Sequence, residues 1–377
     1  MVIKNAKVYT ENFEFQEKDI CVEQGVFTEN ASEQNIVYAD DLYAIPGLID
    51  IHLHGAVGQD FSDGSAKAVE KIAEYEAFHG ITTIMPTTMS IPSKELEKAV
   101  KAIASVKNNK ETQADVAGIY LEGPFMSKER KGVHKEENLR KPDLALVDKL
   151  QKEAKGKIKI VTVAPELEGA IDFIQEGSKK YRISIAHTSA AYEVSKEAFA
   201  AGAKQLTHFF NGMAPFNHRE PGIIGAALEN DKCMAELICD EFHIHPTVIN
   251  MTFRVFGAER VILVSDSMRA TGMTDGEYML GEHQVIVTDG VARMKDGNLA
   301  GSTRNLMDCL KIAVKDMKIP LETAIRAATL NPAIAAGVDE KYGSISTGKK
   351  ANAVFVDKEL NVVMVMKDGK IIRNDWE

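Results

Sequence analysis

The chain has 377 residues, 45% apolar and 27% charged, a globular composition that excludes a disordered or fibrous protein. Its 45 basic and 55 acidic residues give a formal charge of −10, which argues against a general nucleic-acid or anionic-membrane surface but leaves room for a local basic pocket. Cys21, Cys233, Cys239 and Cys309 are scattered without Cys-x-x-Cys or framework spacing and read as reduced core thiols. Residues 1–7 lack a basic region followed by a long apolar one, and no run of 18 uncharged apolar residues occurs, so a cytoplasmic soluble protein is expected.

In chain order, residues 1–46 carry short alternating runs at 2–9 and 19–22 with turn signals between them. The segment Pro46-Gly47-Leu48-Ile49-Asp50-Ile51-His52-Leu53-His54-Gly55 then places two imidazoles two residues apart at the end of an apolar strand, where i and i+2 share a face. From there β-rich runs at 49–54, 82–86, 118–122, 159–164, 183–187, 205–209, 234–239 and 260–265 alternate with helical patterns at 66–79, 94–106, 144–153, 192–201 and 246–256. Eight such units predict an α/β fold, a closed (β/α)₈ TIM-type barrel over 47–342. A strand-like excursion at 277–294 has Thr288-Asp289-Gly290 as its hairpin turn. Alternating runs at 353–356 and 362–366 return near the end, so residues 1–46 and 343–377 are expected to build one small β-sandwich domain beside the barrel.

The predicted strand ends carry His52, His54, Glu122, His187, His208 and, after the eighth, Asp266. A barrel gathers such positions at its C-terminal rim, so four imidazoles and two carboxylates converge on a candidate metal site for Zn²⁺ or Fe²⁺. Two ions bridged by Glu122 would use all six, whereas Glu122, His187 and His208 with water suffice for one. Asp266 is the natural proton acceptor, able to take a proton from an attacking water and return it to a leaving nitrogen. His79, before Gly80, reads as a helix cap, and His218 and His283 as loop residues. His243 and His245 share one loop, and the residues alone do not choose between them.

The run from Pro46 to His54 resembles the amidohydrolase superfamily. More narrowly, Leu121-Glu122-Gly123-Pro124-Phe125, Lys131-Gly132-Val133-His134, Ala186-His187-Thr188, Thr207-His208-Phe209-Phe210-Asn211-Gly212-Met213, Arg219-Glu220-Pro221-Gly222, Asp240-Glu241-Phe242-His243, Ser265-Asp266-Ser267 and Leu299-Ala300-Gly301-Ser302 resemble the N-acetylglucosamine-6-phosphate deacetylase family in order. The resemblance implies a principal metal on Glu122, His187 and His208, a second ion at His52 and His54 in some members, and Asp266 as catalytic acid/base. It also implies His134 as the group polarising the acetamide carbonyl, sugar-phosphate binding by Asn211, Gly212, Arg219, His243 and Leu299, and a homodimer whose Arg219 and His243 come from the neighbouring subunit.

Bottom-up, the guanidinium of Arg219 also suits bidentate phosphate binding. Val133, Gly212 and Asn352 depart from the residues usual in the family, and Arg269 is either an extra anion contact or a surface residue. Deacetylation of N-acetylgalactosamine 6-phosphate, a cyclic amidohydrolase activity and a non-catalytic sugar-phosphate sensor are the alternatives. The cyclic type usually has a carboxylated lysine at the end of the fourth strand, where this chain has Ala164-Pro165-Glu166.

Overall fold

A computed structural model describes residues 1–32 and 35–376. Eight parallel strands run in sequential order: Leu48–Leu53, Ile81–Thr88, Ile119–Leu121, Ile158–Val163, Arg182–Ile185, Gln205–Leu206, Met234–Ile238 and Val261–Val264. Each overlaps an expected strand, and the near-closed barrel is the TIM-type architecture. The seam between eighth and first strands is held by the Asp266 N–H, which donates to the His52 carbonyl at 3.0 Å. Every residue of the first two strands is buried, as expected where helices cover a parallel sheet and side chains fill its interior.

Ile51 packs in one cluster with Tyr120, Ile160, Ile262 and Val264, drawn from the third, fourth and eighth strands. The neighbouring His52 also meets the Tyr120 ring, at 5.0 Å. Simple alternation would send 51 and 52 to opposite faces. The strand avoids this with a bulge: Asp50 pairs with Ile84 and Leu53 with Pro86, so three steps on one strand match two on the other. A bulge re-aims the side chains beyond it, here bringing two imidazoles to the rim.

The terminal strands form two further sheets. One orders Val26–Thr28, Ile20–Glu23, Val2–Lys4 and Ile36–Tyr38, and the other Lys370–Asn374, Val362–Lys367, Ala353–Val356, Tyr43–Pro46, Lys7–Tyr9 and Phe15–Glu17. The expected run 2–9 is split at Asn5, whose φ of 66° turns the chain from one sheet to the other. Ile3, Val22 and Phe27 of the first sheet share a buried core with Val8, Phe355 and Met364 of the second. The excursion has three strands, Gly276–Leu280, His283–Thr288 and Val291–Met294. Asp289 and Gly290 turn between the last two with φ of 51° and 73°, which Asp tolerates and Gly adopts freely. No helix among the described residues is long and apolar enough to cross a membrane.

Candidate functional site

His54, Glu122, His187, His208 and Asp266 all lie one or two residues beyond their strand ends, where the backbone turns into a loop. His187, His208 and Asp266 have φ of 46°, 29° and 49°, a left-handed conformation that costs a non-glycine residue about 1 kcal/mol or more and concentrates at functional sites. With Lys131, His134, Asn211, His243 and Leu299 they line a cavity of 530 Å³. His52 lies deeper, fully buried.

Glu122 is the centre of this arrangement. Its Oε1 lies 3.1 Å from His187 Nε2 and 3.0 Å from His208 Nε2, and those two nitrogens are 3.2 Å apart. Its Oε2 faces His54 Nε2 at 3.2 Å and His52 Nε2 at 3.7 Å, and Asp266 Oδ1 sits 3.2 Å from His54 Nε2 and 3.6 Å from His52 Nε2. The carboxylate thus serves two imidazole pairs, one with each oxygen.

The hydrogen bonds show that these groups fit a cation. His187 Nδ1 is 2.7 Å from the Arg130 carbonyl, which can only accept, so Nδ1 carries a proton and Nε2 is the atom turned toward Glu122 and His208. His52 Nδ1 donates to Glu236 Oε2 at 2.8 Å, leaving its Nε2 unpaired and buried. A carboxylate oxygen and two imidazole nitrogens 3.0–3.2 Å apart need a proton or a cation among them, and ligands about 2.0–2.1 Å from a tetrahedral ion stand roughly 3.3 Å apart. Without an ion, protons take that role. Burial opposes charge on His54, yet hydrogen bonds to Asp266 and Glu122 carry its pKa up to about 9. Burial likewise opposes the Asp266 carboxylate, but His54 and His52 bring it down to about 2.

His134 differs from the other four imidazoles. Its Nδ1 accepts the Ser90 N–H at 3.3 Å, so the ring is the tautomer with a proton on Nε2, 4.0 Å from Glu122 Oε2. Burial pushes its pKa down to about 3, outweighing the attraction of Glu122. Although its ligand atoms come as close to Glu122 and His187 as a metal ligand's would, a neutral Nε2–H is a donor aimed into the cavity.

His243 donates from Nδ1 to Asp240 Oδ2 at 2.7 Å, while Asp240 Oδ1 accepts the N–H groups of Phe242 and His243. Burial disfavours its charge, but the Asp240 carboxylate raises its pKa overall, so the cavity gains a positively biased wall. His245 instead caps the helix Pro246–Phe256, accepting the Thr247 N–H, which separates the two histidines of that loop. His243 lines the cavity of its own chain. Arg219 is exposed in the turn 217–220 and lies outside that cavity.

Gly212, at φ 63°, closes on the site from above: a Cβ there would come within 2.8 Å of His187 Nδ1. Val133 borders the cavity, whereas Asn352 lies between the barrel and the terminal sheet, its Oδ1 accepting the Asp368 N–H. His79 bonds the Tyr75 carbonyl through Nδ1 at its helix end.

Arg269 is neither a cavity residue nor a free surface charge, since it pairs with Asp63 at 3.0 Å and with buried Asp60 at 3.5 Å. Arg269→Ala is therefore expected to leave KM within about twofold. It should cost about 1–3 kcal/mol of stability, because Asp60 loses its cation. A urea titration alongside steady-state kinetics separates the two effects.

Sequence reasoning missed Glu236, a fully buried carboxylate in the middle of the seventh strand, Met234–Ile238. Its Oε2 accepts from His52 Nδ1 and the His208 N–H, and its Oε1 accepts from Gln205 Nε2. An acid alone in Met-Ala-Glu-Leu-Ile is the signal that could have found it, since a buried charge needs a partner. Carboxylates behind metal-ligating imidazoles fix ring orientation and basicity, so Glu236→Gln is expected to weaken metal binding about 10- to 100-fold in a chelator competition assay.

The model of the Amidohydrolase family matches residues 43–372. The chain is 35% identical over 329 residues to the N-acetylglucosamine-6-phosphate deacetylase of Vibrio furnissii, covering 87% of this chain and 82% of that one. It is 35% identical over 327 residues to the N-acetylgalactosamine-6-phosphate deacetylase of Escherichia coli O157:H7, covering 86% of each. Among solved structures, an N-acetyl-D-glucosamine-6-phosphate deacetylase variant from Mycobacterium smegmatis in complex with N-acetyl-D-glucosamine-6-phosphate superposes with a TM-score of 0.92. It is 29% identical, with 99% of both chains covered.

Proposed function

Because the chain belongs to the amidohydrolase family, we propose that it hydrolyses the N-acetyl group of N-acetylglucosamine 6-phosphate to glucosamine 6-phosphate and acetate. The observation that carries this reading is one cavity in which an ionised Asp266, a neutral His134 N–H donor and the ligand set around Glu122 face each other. His187, His208 and Glu122 would hold a divalent cation, Zn²⁺ or Fe²⁺, with His52 and His54 offering a second position across Glu122 Oε2. Such a cation lowers the pKa of water toward neutrality and polarises a carbonyl.

The chain's own groups then divide the remaining work. Asp266 accepts the proton of the attacking water and delivers it to the amide nitrogen, which otherwise leaves very poorly. The His134 Nε2–H stabilises the charge that builds on the acyl oxygen. His243 and the Asn211–Gly212 segment favour the anionic sugar phosphate, and Leu299 borders it. In the assembly we propose, a cytoplasmic homodimer, the exposed Arg219 reaches the neighbouring copy's cavity. The cysteines, all free, suit a reducing compartment.

The test is amine release from N-acetylglucosamine 6-phosphate, its galactosamine epimer and unphosphorylated N-acetylglucosamine, using protein reconstituted with zinc or ferrous iron. Turnover confined to the phosphorylated sugars supports the reading, and no release from any would refute it. The galactosamine epimer is a second reading, favoured by the equal 35% identity to relatives of both kinds. The faster epimer decides between them.

A further inference from the structure

The hairpin insert reaches the wall of the cavity. Its tight turn joins the strands Gly276–Leu280 and His283–Thr288 through Gly281 and Glu282. A Cβ on Gly281 would lie 3.3 Å from the sulfur of Met89, so the turn packs on the residue preceding Ser90. Leu280 lines the cavity itself.

From this turn a continuous set of hydrogen bonds leads to His134. Glu282 Oε2 accepts from Asn138 Nδ2 at 3.2 Å, and the same amide nitrogen donates to the Ser90 carbonyl at 3.1 Å. The Ser90 N–H in turn donates to His134 Nδ1 at 3.3 Å. Glu282 Oε1 also pairs with Lys135, the residue following His134, at 3.0 Å. Ser90, Asn138 and His134 are each more than nine-tenths buried, so solvent offers them no substitute partners. Both contacts of Asn138 are acceptors, which fixes its amide with nitrogen toward them.

We propose that Glu282, on the turn of the hairpin insert, is a positioning residue that fixes the ring orientation and tautomer of His134 through Asn138 and Ser90. The inference rests on the reading of His134 as donor to the acyl oxygen. Its physical content is that Ser90 must present an N–H to Nδ1 for Nε2 to carry the proton. Asn138 holds Ser90 by its carbonyl, and Glu282 holds Asn138. The insert therefore completes the acyl-oxygen side of the site, although no residue of this chain of contacts touches the metal ligands except His134.

The experiment compares Asn138→Ala, Glu282→Gln, His134→Gln and the double variant His134→Gln/Asn138→Ala on N-acetylglucosamine 6-phosphate and its N-trifluoroacetyl analogue. Misplacing a stabilising donor is expected to lower kcat of Asn138→Ala about 10- to 100-fold on the acetyl substrate, with metal content unchanged. Glu282→Gln, which keeps an acceptor for Asn138 but loses the charge, should lose about fivefold, and its exposed position spares the fold. Both losses should shrink on the trifluoroacetyl substrate, whose carbonyl needs less help. In the His134→Gln background, Asn138→Ala should add no further loss, because it acts through a ring that is gone. An equal loss in both backgrounds, or undiminished turnover of Glu282→Gln, would overturn the proposal. Normal turnover of His134→Gln would instead overturn the reading of His134, and the proposal with it.

Discussion

Asp266→Asn is expected to lower kcat by about 10³–10⁴ while the protein keeps its metal. The substitution preserves shape and can still offer an oxygen toward His54, but it removes the group that accepts and returns the proton. Asn also tolerates the left-handed backbone that this position requires, so the φ of 49° is not a new source of strain. The main chain is pinned on both sides as well, with its N–H on the His52 carbonyl and its carbonyl accepting the Ser302 N–H at 2.8 Å. Metal analysis and single-turnover kinetics on one preparation check the result. Full turnover with metal bound would show that Asp266 does not carry the proton, whereas loss of metal in parallel with activity would make it chiefly a ligand.

Asp115→Leu is expected to cost about 3–5 kcal/mol of stability, the range seen when one partner of a buried ion pair is removed. Asp115 begins the two-residue strand that pairs with Thr83 and Ile84, near the start of the second barrel strand and so at the end away from the cavity. It accepts from Lys367 Nζ at 3.0 Å, Lys350 Nζ at 2.7 Å and the Tyr342 hydroxyl at 2.9 Å. Lys367 is fully buried, and its other carboxylate partner is Asp368. These contacts tie the barrel to the six-stranded terminal sheet. Losing Asp115 would leave the buried Lys367 ammonium and Lys350 to share the single carboxylate of Asp368 at that junction. The expected outcome is a lower urea midpoint with little change in kcat per folded molecule. Replacing Lys367 by Met in the same chain should recover part of the loss. A single Asp115→Leu variant as stable as the parent would mean that the cluster does not hold the junction.

Neither Asp115 nor Lys367 announces itself in the sequence, and the reason applies to Glu236 and Glu282 as well. A lone acid or lysine in a strand or turn has many surface counterparts, and only its partner, which can be far away in sequence, makes it structural. Asp115 meets Lys367 across 252 positions and His52 meets Glu236 across 184. Strand and helix order were legible because they rest on local periodicity and turn chemistry. His243 illustrates the same limit: the loop's sequence left it level with His245 until Asp240 and the helix N-terminus divided their tasks.

By itself the sequence determined eight β/α units with imidazoles and carboxylates at the strand ends, because hydrophobic alternation is local and a barrel gathers those ends at one rim. Tertiary structure decided the rest: a bulge turned His52 inward, a buried acid aligned it, and the tautomers of His52, His187 and His134 followed from the partner of each ring's Nδ1. These outcomes depend on hydrogen bonds between distant segments in a low-dielectric interior, where an unpaired polar group is costly and the fold must supply each partner.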